Sequence, residues 1–510
     1  MARLYLFAVG GTGARVLRAL THLLGAGATL RDYNGQPMEL VPLVVDPDAD
    51  NGDTLDCLKT LVTYSDLRGR YLEPGGYPRP AERPVPAGGF LGAKISRYQE
   101  LRAEAQQADR PGAGAQTVIE RESFRCGIVD RERNQTFGSV IGYDYLKGGT
   151  RLIVDALYSP ENLDTKLSGG FLGNPNLGTV VLNRVKGSEQ FRMLPGLFHS
   201  EDRIFIISSI FGGTGASGFP VLVKLLRDAK DEAGHVMDVL RKGSIGALSV
   251  LPYFAVESDA RSPIDSNAFV PKTKAALAYY ADHLDGIQAL YYIGDRARKQ
   301  YANRPTGPLQ SNQDHIVEFI GATAVLHFAR HSGPEGQRSQ FLECAVADRD
   351  ETQALDLTSV GDELLTLVGP PLTAFAMASR FLQQATQPAV LARLLAQPWS
   401  KDGGFDRKFF AVGSQSMPYN AVQEYSRLWW DSLGQMAANV PSFQPFGDGL
   451  IDLRKDRATT TLDTNDVNMA LNLLHGEFGP KSSVKRLLQM LWAACGQIAA
   501  ERYGAAVASA

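Results

Sequence analysis

Cysteine is scarce in this 510-residue chain. Cys57, Cys126, Cys344 and Cys495 are far apart and form no C-x-x-C pair, which argues against a disulfide framework or a thiolate zinc site and suits a reducing compartment. Net charge is also nearly absent, at -3. Without a long Lys/Arg run there is no electrostatic footprint for nucleic acid or an anionic membrane. No segment is read as approaching the ~20 apolar residues that span a bilayer. The opening MARLYLFAVGG lacks the basic region and small-residue cleavage site of a signal peptide. A soluble, cytoplasmic protein is expected. There is no G-x-x-x-x-G-K-[ST] loop, no G-x-S-x-G elbow and no convincing Cys–His pairing. His327 and His331 are spaced to share a helix face, but no acidic ligand motif accompanies them, so a packing or surface role is expected.

What is present is an ordinary globular composition, 44% hydrophobic and 21% charged, with enough length for one large α/β domain and a second unit. Leu4–Val9 is a short apolar run that ends in Gly10-Gly11-Thr12-Gly13, and Ala14–Leu24 follows with apolar residues at helical spacing. A second apolar run, Leu40–Val45, ends in Asp46-Pro47-Asp48. Two strands flanking a helix predict a βαβ unit and a parallel sheet. Further along, Ile204–Ile210, Ser244–Val256 and Gln288–Ile293 read as strands. Asn267–His283 and the largely apolar Asn312–Arg330 read as helices, the latter buried between layers. A Pro/Gly-rich stretch from about Tyr71 to Gly92 reads as a surface loop within an insertion spanning about 65–150. Beyond 330, helices over Asp362–Ala385 and Ser482–Tyr503 flank strand-like pieces such as Phe409–Val412. The expected division is 1–330 and a C-terminal α+β domain over 331–510.

Three glycine loops carry the chemistry: Gly10–Gly13, Gly173–Gly178 and Gly212–Gly218. Glycine lets backbone amides approach a phosphate, and a helix N-terminus adds its positive dipole. One such loop can be a matter of turn geometry. Three within one α/β domain point to phosphate binding.

At this point the sequence resembles the tubulin/FtsZ superfamily. IFIISSIFGGTGASGFP is similar to its signature phosphate loop, VGGTGAR to its first loop and VVDPDADN to its second. GNPNLG is similar to the loop facing the γ-phosphate, LSVLPYFAVES to the ribose-facing segment and SNQDHIVEFIGA to the start of the central helix. Among its branches the chain looks most like the divergent bacterial tubulin-like proteins. The resemblance implies GTP/GDP and Mg²⁺ as cofactors, bound by a Rossmann-like GTPase domain with a long central helix. It places phosphates against Gly10, Gly11, Thr12 and Gly13, against Gly173, Asn174, Pro175 and Gly178, and against Gly212, Gly213, Thr214, Gly215, Ala216 and Ser217. Asp46 and Asp48 would lie near the metal, Glu257 near the sugar, and Asp295 and Asp314 near the base. Ser217 departs from the pattern, replacing a glycine, though its amide can still donate.

The resemblance also implies head-to-tail self-association, in which one subunit supplies an acid over the next subunit's nucleotide. After Arg330 the Asn-x-Asp-x-x-Asp pattern is missing. Asp348, Asp350 and Glu351 are the nearest candidates, with solvated surface acids as the competing reading. Asp46 and Asp48 have an alternative too, as turn residues bonding their own backbone. Three functions stay open: a filament-forming GTP-binding protein with assembly-dependent hydrolysis, a non-hydrolysing nucleotide-bound scaffold with protein partners, and an NAD-dependent Rossmann oxidoreductase. The last rests on the first glycine turn and Asp46, and it is weakened by Val16 at the third small-residue position.

Overall fold

The computed structural model describes residues 1–71, 89–107, 121–127, 135–230, 234–235, 237–259, 262, 264–304, 306–331, 340–343, 354–410, 418–446, 464–478 and 483–503. Its centre is a six-stranded sheet in the order β2-β1-β3-β4-β6-β8. The strands are β1 (Arg3–Val9), β2 (Glu39–Val45), β3 (Arg203–Ser209), β4 (Ser244–Val250), β6 (Ala289–Ile293) and β8 (Gln340–Glu343). Every neighbouring pair is parallel. β2, β3 and β4 are buried along their whole length, the reason they read as near-continuous apolar runs rather than alternating ones. Pro42 lies in the outermost strand, where a missing ladder N–H is tolerated. Isolated bridges to Leu40 and Val44 fall on either side of it.

Helices cover both faces. Leu248 points at Gly321 of the central helix, whereas Val9, one residue out of that row, points at Gly218. The labels used below are α1 (Gly10–Ala26), α2 (Gly52–Tyr71), α3 (Pro175–Leu182), α4 (Gly213–Arg227), α5 (Phe269–His283) and the central α6 (Ile316–His331). Every residue of α1 except Gly11 and Thr12 is buried.

After α6 the chain adds β8 to the edge of the same sheet and then, in the described residues, helices: α7 (Asp362–Gln384), α8 (Pro418–Ala437) and α9 (Val484–Tyr503) among them. α7 packs on α1 and α9, and α8 packs on α2. The Tyr425 hydroxyl donates to the Thr21 carbonyl at 3.0 Å. Gly25 and Gly27 leave room for Tyr425 and Trp492, since a β-carbon there would fall 1.9 and 2.5 Å from them.

Several expectations need correcting. The apolar stretch Ser244–Val256 is two strands, because the chain leaves the sheet at Leu251 and pairs again only as β5 (Ala255–Val256) with β7 (Gln300–Tyr301). Phe409 and Phe410 are in a turn rather than a strand, and Val412 lies outside the described residues. The reading that no segment could span a bilayer also fails, because α7 is long and apolar enough by length and composition. It carries Pro370 and Pro371 inside and is largely buried against α1 and α9, as a core helix is. The Pro/Gly-rich stretch is outside the described residues apart from its ends. The described cysteines, Cys57, Cys126 and Cys495, are buried and free, and burial raises the Cys57 thiol to about 12 and Cys126 to about 11.

Candidate functional site

In an open parallel sheet the natural ligand crevice lies beyond the C-terminal strand ends, where the strand order reverses. Here the chain runs from β1 outward to β2 and then returns to β3 on the other side, so the reversal lies between β1 and β3. Each of these two strands runs into a glycine-led helix, α1 at Gly10 and α4 at Gly213. Between them opens a cleft of about 430 Å³.

The two helix starts share one property: Val9 and Gly212, their N-cap residues, make no side-chain cap hydrogen bond. The first amides of each helix have no intrahelical acceptor, so both ends suit an external anion. The packing also requires the glycines. Gly10 has φ +70°, a left-handed conformation, beside Thr214. A β-carbon on Gly215 would fall 2.5 Å from the Ser209 carbonyl, and one on Gly213 would fall 3.1 Å from the amides of Gly173 and Asn174.

Of the sequence-derived candidates, Gly10, Gly11, Thr12, Asp46, Asp48, Gly173, Gly212, Gly213, Thr214 and Gly215 line this cleft. Gly13 does not line it, and serves close packing instead: its β-carbon would fall 2.8 Å from the carbonyl carbon of Ala8. Gly178 and Ser217 face each other where α3 packs on α4, and the Ser217 hydroxyl bonds back to the Gly213 carbonyl at 2.6 Å. Ala216 is likewise inside α4, away from the lining. Asn174 caps α3 itself by accepting from the Asn176 amide at 3.1 Å, with Pro175 behind it at the first helical position.

Three expected contacts to sugar and base fall outside the lining. Glu257 is exposed, and its amide bonds the Tyr301 carbonyl in the β5–β7 pair. Asp295 accepts from the Arg296 amide and lies 3.9 Å from His315. Asp314 is buried in an ion pair with Arg18 and accepts from the Ser432 hydroxyl at 2.5 Å, so it fastens the start of α6 to α1 and α8. Asp348, Asp350 and Glu351 lie outside the described residues.

The acidic loop shows the turn bonding expected of it and also lines the cleft. Asp46 and Asp48 accept from the Asp48 and Asp50 amides, each at 3.1 Å, as turn-forming residues do. They also face the cleft. Burial, with the neighbouring Asp48 carboxylate, raises Asp46 to about 7, and burial raises Asp48 as well. Two crowded oxygen donors destabilised as anions fit a hard divalent cation, which would restore both charges.

Sequence reasoning missed several side chains. Arg15 is buried beside the cleft, paired with Glu318 and 3.7 Å from Asp53. Its Nε has no hydrogen-bond partner. Burial raises Asp53 to about 6 against the opposing pull of Arg15. Asn51 bonds Gln310 at 2.6 Å, and Asp53 accepts from the Asn312 amide at 3.0 Å, which ties α2 to the segment before α6. Phe211, Phe254, Phe269 and Tyr301 form an aromatic side of the cleft, with ring centroids 5.0 to 5.8 Å apart in the pairs Phe211–Phe269, Phe211–Phe254 and Phe254–Tyr301. The signal for Arg15 was a charged residue, like Arg18, inside a helix buried on nearly every side. The aromatics come from four separate segments and could be grouped only by the fold.

The fold and site define an α/β, Rossmann-like protein with a polar, glycine-floored crevice at the switch point of a parallel sheet. No protein-family model and no curated protein matches the chain. Among solved structures, CetZ2 from Haloferax volcanii, a GTPγS-bound protofilament, is similar at 14% identity and a TM-score of 0.27, over 64% of this chain. The chain spans 59% of that structure's chain. At that similarity no ligand or residue role is transferred.

Proposed function

We propose that this chain is a cytoplasmic guanine-nucleotide-binding protein of the tubulin/FtsZ type that self-associates head to tail. The observation that carries the reading is the pair of uncapped, glycine-led helix starts facing one cleft from the adjacent strands β1 and β3. Amides of Gly10–Thr12 and Gly212–Gly215 would hold the phosphates, and Asp46 and Asp48 would hold Mg²⁺. Phe254 and Tyr301 offer stacking faces for the base. The metal would screen phosphate charge, and the fixed amide dipoles would favour the same anionic oxygens without reorganising. Residues 1–330 would form the nucleotide-binding part and 331–510 the C-terminal part.

Asp348 and Asp350 are the candidates for an acid supplied to a neighbouring subunit, which would make hydrolysis depend on assembly. The missing acid pattern after Arg330 favours a second version, a nucleotide-bound scaffold that does not hydrolyse. An oxidoreductase fits less well, because Val16 stands where the dinucleotide fingerprint needs its third small residue and Gly13 packs on Ala8 instead of lining the cleft.

The test is equilibrium binding of GTP, ATP and NAD to the full chain, followed by pelleting and phosphate release over a range of protein concentrations. GTP binding, with sedimentation and phosphate release rising together with concentration, is the expected result. GTP binding without release or assembly would select the scaffold. Tight NAD binding without GTP binding would overturn both.

A further inference from the structure

His327 and His331 lacked an acidic partner in sequence, but the fold supplies one from another element. Both lie in the last two turns of α6, and Glu363 is in the first turn of α7. One ligand atom from each of the three lies within 4.8 Å of the others. We propose that His327, His331 and Glu363 form a surface site for a divalent transition-metal ion such as Zn²⁺, joining the end of the central helix to the start of α7.

The hydrogen bonds around the cluster prepare it for this role. The His331 Nδ1 lies 2.9 Å from the carbonyl of His327. A carbonyl only accepts, so Nδ1 carries the proton and Nε2 keeps its lone pair. The His327 Nδ1 lies 2.7 Å from the Tyr291 hydroxyl, an outer partner of the kind that fixes a ligating imidazole. Its Nε2 then faces Glu363, with Oε1 at 3.8 Å. The two imidazole rings are stacked, 4.0 Å between centroids.

Two neutral imidazoles and one carboxylate match the preference of zinc and its neighbours, with water completing the shell. Bonds of about 2.0–2.2 Å require these atoms to close in further. His331 and Glu363 are exposed and free to turn inward. The end of α6 also presents its carbonyls, the negative pole of the helix, which favours a cation. α6 is 16 residues long, about 24 Å at 1.5 Å per residue, and its opposite end adjoins the cleft. This site is therefore distinct from Asp46 and Asp48, and it does not depend on the proposed nucleotide.

The experiment is calorimetric titration of the full-length, chelator-treated protein with ZnCl₂, in parallel with Co²⁺ titration read by visible absorption. One equivalent should bind to the unaltered protein, and Co²⁺ should give d–d bands. Glu363→Gln and His331→Ala should each weaken binding at least tenfold and reduce the bands, leaving the metal-free melting temperature unchanged because both side chains are exposed. Tyr291→Phe should weaken binding about tenfold through loss of the outer hydrogen bond. Unaltered affinity and spectra in both ligand variants, or no binding by the unaltered protein, would overturn the site.

Discussion

Two kinds of helix start meet near the cleft, and they differ in where their hydrogen bonds end. α3 is closed by its own chain, since Asn174 caps it and Pro175 removes a donor. α1 and α4 open on glycine with no side-chain cap. Asp314, engaged by Arg18 and Ser432, belongs with the closed class. Polar groups that the chain satisfies itself hold the structure together. The open helix starts of α1 and α4 are the ones that line the cleft.

The largest expected effect falls on an open helix start. Gly213→Asp would set a carboxylate against the phosphates, costing about 4 kcal/mol, close to a thousandfold in GTP affinity by fluorescence titration. Gly11→Asp should act similarly with less strain, since a β-carbon there first meets Asn51 and Asp53 side chains at 3.4 Å. Unchanged affinity in both would remove the distinction. Asp314→Ala tests the closed class. Leaving Arg18 buried with less compensation should lower stability by about 3 kcal/mol in chemical denaturation, with GTP affinity preserved. Loss of affinity without loss of stability would return Asp314 to base recognition.

Asp53 gives the next effect. Its folded-state value of about 6 lies above the ordinary 3.8. The folded protein therefore keeps a proton that the unfolded chain releases, and stability falls as pH rises from about 4 to about 6. Asp53→Asn should remove that part of the slope, about 3 kcal/mol, in melting curves taken across this range. The smallest effect belongs to Asn174→Ala, about 1 kcal/mol of stability from the lost cap with little change in binding.

The strands were legible because burial on both faces makes Leu40–Val45 and Ile204–Ile210 continuous apolar runs. β5, β7 and β8 were not, being two to four residues long and defined only by their partners. The glycine loops were legible as chemistry, but not which glycine faces a ligand. Gly13 and Gly178 meet other parts of the chain, and spacing alone cannot separate close packing from a cradle. The pairing of Asp314 was illegible for a similar reason, because its partners come from α1 and from α8, more than a hundred residues further on. Glu363 escaped notice beside His327 and His331 because the chain between them had first to cross to β8.

α1 runs from the cleft at Gly10 to the pocket of Tyr425 and Trp492 around Gly25 and Gly27. Mechanically it is a stiff rod about 26 Å long, gripped at its far end by residues from the last hundred positions of the chain. An axial shift of α1 at Gly10–Thr12 would therefore be felt at the residues of α8 and α9 that hold its far end. The C-terminal helices thus rest on α1 and, through α8, on α2, both of which begin at the cleft.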